Sequence, residues 1–297
     1  MKLRDIYARE GHTFSFEFYP PKTDESTATL FAELEILKAL NPAFCSVTYG
    51  AGGSTQSKTV EVVSRIKNEA GVEAMGHLTI VNQPKSQVRG VLRQLREANI
   101  ENMIALAGDP PDGVEVDWTP HPDGFRHSRE LVDEAIAFEE DWFSVAVAGF
   151  PEVHPRAVSR ETDLRYLKQK VDAGAVAVVT QLFYDNEYYF RYVEDLRALG
   201  VEVPIVPGVM PILSVKQIQR ITSMCHSKIP PRLAEQLAAV GDDSAAAAEL
   251  GIEYASEQVR GLLDFGIPGI HFYVLNRSGA ARAIFENCGL AALQSAA

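Results

Sequence analysis

The stretch Phe14–Thr23 reads FSFEFYPPKT, and its alternation predicts the first strand of a sheet. Three phenylalanines alternate with Ser15, Glu17 and Tyr19, and two prolines end the run. Because successive side chains of a strand point to opposite faces, Glu17 lies on the face away from the phenylalanines. An unpaired carboxylate is costly in a dry interior, so this face meets either water or a cavity that uses a carboxylate.

Strand-like runs alternate with helical patterns along the whole chain. The predicted strands are Thr13–Tyr19, Phe44–Thr48, Ala74–Thr79, Asn102–Ala107, Phe143–Ala148, Val176–Leu182, Pro204–Val209 and Gly269–Val274. The predicted helices are Ser26–Leu40, Ser54–Glu69, Gln87–Ala98, Ser128–Phe138, Arg160–Ala173, Asn186–Leu199, Ala245–Phe265 and a pair within Ser214–Leu237 that Pro230 and Pro231 separate. This order predicts an α/β fold, a single (β/α)8 TIM barrel domain spanning residues 1–297. Strand counting leaves an open doubly wound sheet as the alternative.

Composition limits the class of partner. The chain has 297 residues, and its formal net charge of −12 argues against nucleic acid or an anionic membrane, because their phosphates would be repelled. The N-terminus lacks an apolar signal core, and no run approaches the ~18 apolar residues of a membrane span. Cys45, Cys225 and Cys288 form no CxxC pair, which is typical of thiols in a reducing compartment. We expect a cytoplasmic protein that acts on a small molecule.

No pattern indicates a metal site. The seven histidines form no HExxH motif, and Asp109 with Asp112 supplies too few carboxylates to indicate a cation. We therefore expect no bound metal.

The barrel hypothesis selects polar residues at the carboxyl ends of the strands, where active sites of such barrels lie. These residues are Glu17, Thr48, Tyr49, His77, Asp109, Glu152, His154, Gln181, Asn276 and Arg277. One interpretation of Glu17 is a buried carboxyl whose raised pKa suits a general acid, with Asp109 as an ionised second carboxyl. The alternative is that Glu17 points outward and pairs with a lysine.

Two other segments each allow two interpretations. The run GAGGST at Gly50–Thr55 is either a phosphate cradle or a plain loop between a strand and a helix. Much further along the chain, Asp163, Tyr166 and Lys170 share one face of the predicted helix Arg160–Ala173. That face either binds the phosphate and hydroxyls of a ligand or is a solvated charged stripe.

Nine motifs in register extend from the first predicted strand to the last. They are FSFEFYPPKT, SVTYGAGGST, GHLT, IALAGDPP, PEVHP, LKQKVDAGA, TQLFYD, PGVMPI and HFYVLNR. Together they closely resemble the methylenetetrahydrofolate reductase family, whose catalytic domain is a (β/α)8 barrel. The length resembles that of the short bacterial form, and the sequence has no counterpart of the regulatory domain of eukaryotic relatives.

The resemblance implies a homo-oligomeric enzyme in which FAD is reduced by NADH or NADPH and then reduces methylenetetrahydrofolate. By motif match, Glu17 resembles the general acid that opens the folate ring, and Asp109 resembles the carboxylate near the flavin and the pterin. Gln181, Gln217 and Arg277 match folate-contacting positions. The positions that match FAD contacts are Thr48, Tyr49, Ala51, His77, Gly108, Asp109, His127, Ser128, His154, Ala157, Asp163 and Lys170. Two alternatives stay open, namely a one-carbon transferase without redox chemistry and a folate-reducing subunit that a partner protein supplies with electrons.

Some positions depart from the family pattern. Ala107 stands where the family commonly has arginine, and Gln169 replaces a basic residue beside Lys170. Phe150 and Tyr166 replace a common tyrosine and a frequent asparagine. Because the first two changes remove positive charge from the expected pyrophosphate site, we expect looser retention of FAD than in relatives that keep both charges.

Overall fold

A computed structural model describes residues 1–49, 56–109, 120–139 and 141–294, with Gln56 described by its backbone alone. In chain order its elements are α1 (Leu3–Tyr7), β1 (Thr13–Phe18), α2 (Asp24–Lys38), β2 (Phe44–Val47), α3 (Gln56–Asn68), β3 (Ala74–Thr79), α4 (Lys85–Glu97), β4 (Asn102–Leu106), α5 (Ser128–Ile136), β5 (Ser144–Gly149), α6 (Arg160–Asp172), β6 (Ala177–Thr180), α7 (Asn186–Ala198), β7 (Ile205–Val206), β8 (Gly208–Val209), α8 (Val215–Cys225), α9 (Pro231–Val240), α10 (Ser244–Phe265), β9 (Gly269–Tyr273), α11 (Gly279–Cys288) and a 3-10 helix, Leu290–Leu293. No helix in these ranges is long and apolar enough to cross a membrane.

The strands form one parallel sheet in the order β7-β6-β5-β4-β3-β2-β1-β9-β8. Its two end strands, β7 and β8, are the halves of the predicted strand Pro204–Val209, divided at Pro207. The first half pairs with β6 and the second with β9, so the chain itself joins the two ends of the sheet. Proline has no N–H to donate to a ladder, and at Pro207 only the carbonyl is used, accepting from His271 N at 3.0 Å. The barrel prediction is confirmed, and the open-sheet alternative is wrong.

Alternation along the strands separates an outer core from the barrel interior. Phe14, Phe16 and Phe18 are at most 1% exposed and pack in the outer core with residues of the surrounding helices. Phe285 of α11, a helix that the sequence pattern did not predict, packs against Phe14 at 5.1 Å between ring centroids. Glu17 therefore faces inward, and the alternative in which it points outward to a lysine is wrong.

A short helix closes the amino end of the barrel. Leu3 and Ile6 of α1 are buried against inward-facing side chains such as Met75 and Ile104. Asn102 fixes the helix, because its Oδ1 accepts from Leu3 N and its Nδ2 donates to Met1 O, each at 2.8 Å. The sequence pattern did not predict α1, since five residues are too few for a helical period to be recognised.

We expect Leu3→Ala to lower the free energy of unfolding by about 2–4 kcal/mol, because it leaves a cavity at a fully buried site. Urea denaturation followed by circular dichroism measures this loss. Ile36→Ala is the matched control, since Ile36 is 41% exposed on α2, and it should cost less than about 1 kcal/mol. Equal losses in the two variants would contradict the interpretation of α1 as a plug.

Candidate active site

Glu17 lies inside the barrel near the carboxyl end of β1, with its side chain 16% exposed. Its Oε2 is 3.2 Å from His77 Nε2 of β3 and 3.3 Å from His271 Nε2 of β9. The contact with His271 has hydrogen-bond geometry, whereas His77 Nε2 makes no sound hydrogen bond within the described residues. Two imidazoles therefore approach one carboxylate oxygen, and one of them is hydrogen-bonded to it.

The ionisation of Glu17 differs from the sequence-based prediction. Burial acts to raise the pKa of its carboxyl, but the electrostatic interaction with His77 and the hydrogen bond from His271 outweigh burial and lower the pKa to about 2. The predicted raised pKa is thus wrong for this geometry. Glu17 is therefore a carboxylate here.

His271 is the central residue that sequence reasoning missed. It is 0% exposed, and its Nδ1 lies 2.7 Å from Ser15 Oγ while its Nε2 lies 3.2 Å from Ser46 Oγ. The pairing of β1 with β9 sets Ser15 directly beside His271. The signal was present in the motif HFYVLNR, where His271 and Tyr273 alternate with apolar residues as Ser15 and Glu17 do.

The ends of β2 and β3 carry buried polar atoms without partners in the described part of the chain. Tyr49 Oη, Thr79 Oγ1 and Gln83 Oε1 make no sound hydrogen bond within the described residues, although the Gln83 side chain lies close enough to Tyr49 to influence its phenol. Beside them, Gly108 has a φ of +85°, and a Cβ there would lie 2.7 Å from Val81 Cγ1. Glycine at this position is required by the packing of Val81 and Thr79, while the unpaired polar groups are suited to a polar ligand.

A second group of expected ligand-binding residues follows β5. Asp163 Oδ2 accepts a hydrogen bond from His154 N at 3.0 Å, and burial raises the pKa of Asp163. Burial, with the charges of Arg156 and Lys170, lowers the pKa of His154 to about 4, so this imidazole is neutral at pH 7. The preceding residue, Val153, has a φ of +75°, which is strained for a β-branched side chain. The bend at Val153 brings His154 to α6, where its N–H donates to Asp163.

Lys170 places its ammonium group next to these residues. Its side chain is partly exposed, but Nζ reaches inward and donates to Ala148 O at 2.9 Å. Burial lowers its pKa to about 8, and the charge of Asp163 opposes that shift. Lys170 is therefore a cation at neutral pH with one neutral acceptor, which leaves two N–H donors for a ligand. The three predicted residues His154, Asp163 and Lys170 are thus brought together.

The remaining predicted residues are more dispersed. Thr48 O accepts from Thr59 Oγ1, Ala157 N donates to His154 O, and His127 with Ser128 begins α5. Gln181 Oε1 accepts from Leu182 N at 3.0 Å. Glu152 accepts from Lys228 N and so ties the α8–α9 connection to the end of β5.

Gln217 lies in the first turn of α8, which follows β8, and Arg277 lies on the loop that follows β9. Gln217 Oε1 accepts from Leu213 N at 2.6 Å, while its buried Nε2 has no partner within the described residues. Arg277 is exposed, and the preceding Asn276 side chain binds both the N–H and the carbonyl of Tyr19, at 2.9 and 3.0 Å. That clamp joins the loop carrying Arg277 to the end of the strand carrying Glu17.

Several predicted features lie at the edge of the described residues or outside them. Asp109 is exposed and is the last residue before an undescribed range. The hydrogen bonds and ion pairs of Glu17 within the described residues go to His77 and His271. Ala51, the run GAGGST and Asp112 lie outside the described residues. Within the described ranges, no group of three or more His, Cys, Asp or Glu side chains is arranged to hold a metal ion.

Comparison with known proteins places this geometry in a family. The methylenetetrahydrofolate reductase family profile matches residues 2–289. The chain is 35% identical over 276 residues to the 5,10-methylenetetrahydrofolate reductase of Escherichia coli, covering 93% of this chain and 90% of that protein. It is 39% identical over 298 residues to methylenetetrahydrofolate reductase (NADH) 1 of Arabidopsis thaliana, covering 97% of this chain but 50% of the plant protein. The chain therefore spans about half the length of this plant relative.

A solved structure has the same fold. The chain superimposes with a TM-score of 0.64 and 16% identity, over 98% of each chain, on an uncharacterized protein from Clostridium thermocellum that binds two copies of 5-methyl-5,6,7,8-tetrahydrofolic acid. At this identity the likeness shows the barrel fold alone. The family match over nearly the whole chain, with identities of 35–39% to named relatives, shows that the chain belongs to the methylenetetrahydrofolate reductase family.

Proposed function

We propose that the chain reduces 5,10-methylenetetrahydrofolate to 5-methyltetrahydrofolate, with NADH or NADPH as electron donor and FAD as bound carrier. The observation that carries the proposal is Glu17, a carboxylate inside the barrel mouth that a buried imidazole holds by a hydrogen bond. Membership of the family supplies the reaction class. The names of the plant relatives specify NADH, while those of the bacterial relatives leave the donor open.

The residues expected to hold FAD fit a bound dinucleotide on two observations. Buried polar atoms of Tyr49 and Thr79 have no hydrogen-bond partner within the described residues, which suits a ligand with polar ring edges. The Lys170 ammonium and the backbone around His154 supply donors for a pyrophosphate. When bound, FAD supplies a carrier that takes up a hydride from the nicotinamide and later gives one to the folate.

In this proposal Glu17 gives a proton to a folate nitrogen, which opens the five-membered ring and leaves a cation that accepts the hydride. Because Glu17 is a carboxylate in this geometry, it must take up this proton before it can give it to the folate. Asp109 contributes negative charge that favours the cation. Gln181, Gln217 and Arg277 bind the folate, and the unpaired Gln217 Nε2 supports this role. A cytoplasmic homo-oligomer remains a prediction from the family resemblance.

We expect Glu17→Gln to change the rate of flavin reduction by NADH or NADPH less than about 3-fold, and to slow folate reduction at least about 100-fold. Only the second half-reaction consumes the proton. Stopped-flow absorbance of the purified, FAD-loaded protein follows the two steps separately. Glu35→Gln is the control, because Glu35 is an exposed carboxylate of α2, and it should leave both rates unchanged.

The same measurement distinguishes the alternatives. A protein that binds no flavin and oxidises no nicotinamide would support the one-carbon transferase and contradict the reductase. Folate reduction with reduced ferredoxin, but with neither nicotinamide, would support the partner-fed subunit. If Glu17→Gln leaves both half-reactions intact, Glu17 is not the acid.

We expect FAD affinity to fall as pH rises through about 8, because Lys170 is a cation below its lowered pKa and loses its charge above it. One charge-assisted contact corresponds to roughly 10-fold to 100-fold in affinity. FAD fluorescence titrations of the apoprotein between pH 7 and 9 measure the change. Lys170→Gln should bind weakly with a flat profile, whereas Lys168→Gln, on the same helix, should keep the profile of the native chain. An unchanged slope in Lys170→Gln would contradict the assignment.

We expect Ala107→Arg and Gln169→Arg each to tighten FAD binding about 3-fold to 10-fold and to increase its salt dependence, since each restores a positive charge near the expected pyrophosphate site. Equilibrium dialysis at two salt concentrations gives both quantities. Gln94→Arg adds the same charge on exposed α4 and should have little effect. Affinity that does not respond to either restored charge would contradict the predicted loose retention.

A further inference from the structure

His271 has an environment that the proposed function does not yet use. It sits in the middle of β9, with no exposed surface, and is hydrogen-bonded to three side chains from two other strands. Ser15 lies at its Nδ1, and Ser46 and Glu17 lie at its Nε2. Both nitrogens of this buried imidazole therefore have polar partners, and Nε2 has two of them.

The titratable side chains around this ring come from three strands. They are Glu17 on β1, His77 on β3 and Tyr273 on β9, whose ring is 5.5 Å from that of His271. Burial and the charge of Glu17 raise the pKa of Tyr273, and its hydroxyl proton is committed to Thr180 O at 2.6 Å. Tyr273 is therefore a poor proton source. His77 is close to Glu17, but it lacks the hydrogen-bond geometry that His271 has.

The two serines can satisfy His271 in both of its charge states. Serine hydroxyls rotate and serve as donor or acceptor, whereas an ionised carboxylate only accepts. When the ring is a cation, Nδ1–H donates to Ser15 and Nε2–H donates to Glu17 and Ser46. After Nε2 has lost its proton, Ser15 still accepts from Nδ1–H, and the Ser46 hydroxyl turns to donate to the bare Nε2. The ring thus keeps a partner on both nitrogens before and after the proton leaves.

We infer that His271 is the positioning residue that holds the proton which Glu17 delivers, with Ser46 as the hydroxyl that replaces Glu17 at Nε2 once the proton has moved. The inference rests on the proposed function, and it specifies how Glu17 obtains the proton that it gives to the folate.

The proton transfer balances without any further reactant. The N–H bond at His271 Nε2 breaks as an O–H bond forms on Glu17, and that O–H bond breaks as the folate nitrogen takes the proton. Glu17 returns to a carboxylate, His271 ends as a neutral imidazole, and the folate carries the positive charge. No group is oxidised or reduced in this step.

The first test compares half-reactions as a function of pH. We expect His271→Gln to change flavin reduction less than about 3-fold and to slow folate reduction about 100-fold at pH 7. Glutamine can still donate to Glu17 but carries no proton to give, so Glu17 must then be protonated from solvent. The folate rate of this variant should rise about 10-fold for each unit by which pH falls from 8 to 6, a steeper dependence than that of the native chain. His12→Gln, at the opposite end of β1, should match the native profile.

Ser46→Ala provides a second variant in case the fully buried His271 does not tolerate replacement. We expect it to slow folate reduction about 10-fold with flavin reduction unchanged, because the neutral ring loses its donor at Nε2. A merely structural histidine would slow both half-reactions together, with profiles parallel to that of the native chain, and this outcome would overturn the inference. Unchanged folate reduction in Ser46→Ala would overturn the role of that hydroxyl.

A spectroscopic measurement separates failure of the inference from failure of the proposed function. In protein labelled with 15N-histidine, the ring nitrogens of His271 report its tautomer and charge without any substrate. We expect Glu17→Gln to shift the Nε2 signal, which faces Glu17, more than the Nδ1 signal, which faces Ser15. An Nε2 signal that is the same in the native chain and in Glu17→Gln would overturn the inference even if the protein reduces folate. A protein that shows the coupling but reduces no folate would contradict the proposed function alone.

Discussion

A carboxylate held inside a closed barrel is the constraint on which the arrangement of the site depends. Parallel strands of a barrel are buried on both faces, so an inward-facing charge must be satisfied by other inward-facing groups. Glu17 is satisfied by His271 and approached by His77, and His271 in turn is held by Ser15 and Ser46. These five side chains come from four strands, and they meet only because β9 returns to lie beside β1.

Closure of the barrel is therefore part of the chemistry as well as of the fold. The segment that completes the ring is interrupted at Pro207, and its two halves pair with different neighbours. Beneath the polar groups, Leu3 and Ile6 fill the amino end with apolar side chains. The interior is thus divided into a dry lower layer and a polar upper layer, and the low polarity below strengthens the electrostatic interactions above.

The site also separates the handling of protons from the binding of anions. The Glu17 cluster belongs to β1, β2, β3 and β9, whereas Lys170 and Asp163 belong to α6 behind the end of β5. Changes at Gln169 alter the charge near the second group without touching the first. In the proposed function, affinity for the cofactor can vary among relatives while the proton chemistry at Glu17 stays the same.

The sequence by itself determined the strand faces, the long helices and the helix starts, because these depend on interactions between near neighbours. Alternation put Glu17 opposite the three phenylalanines, and Ser159 and Ser214 mark the starts of α6 and α8 through contacts within a few residues. Motifs carried the family and most expected site residues. The sequence did not reveal the plug formed by α1 or the division of the strand at Pro207, since neither leaves a periodic signal.

Only the tertiary structure decided the charge state of Glu17. The position of Glu17 in a buried strand predicts that its carboxyl is desolvated, and desolvation alone would raise its pKa. The partners that reverse this expectation are His77 and His271. His271 lies 254 residues away along the chain, and the ring closure brings its Nε2 to 3.3 Å from Glu17 Oε2. Electrostatic interactions depend on distance in space and not on separation in sequence. The ionisation of this carboxylate therefore follows from the folded barrel and not from the sequence pattern.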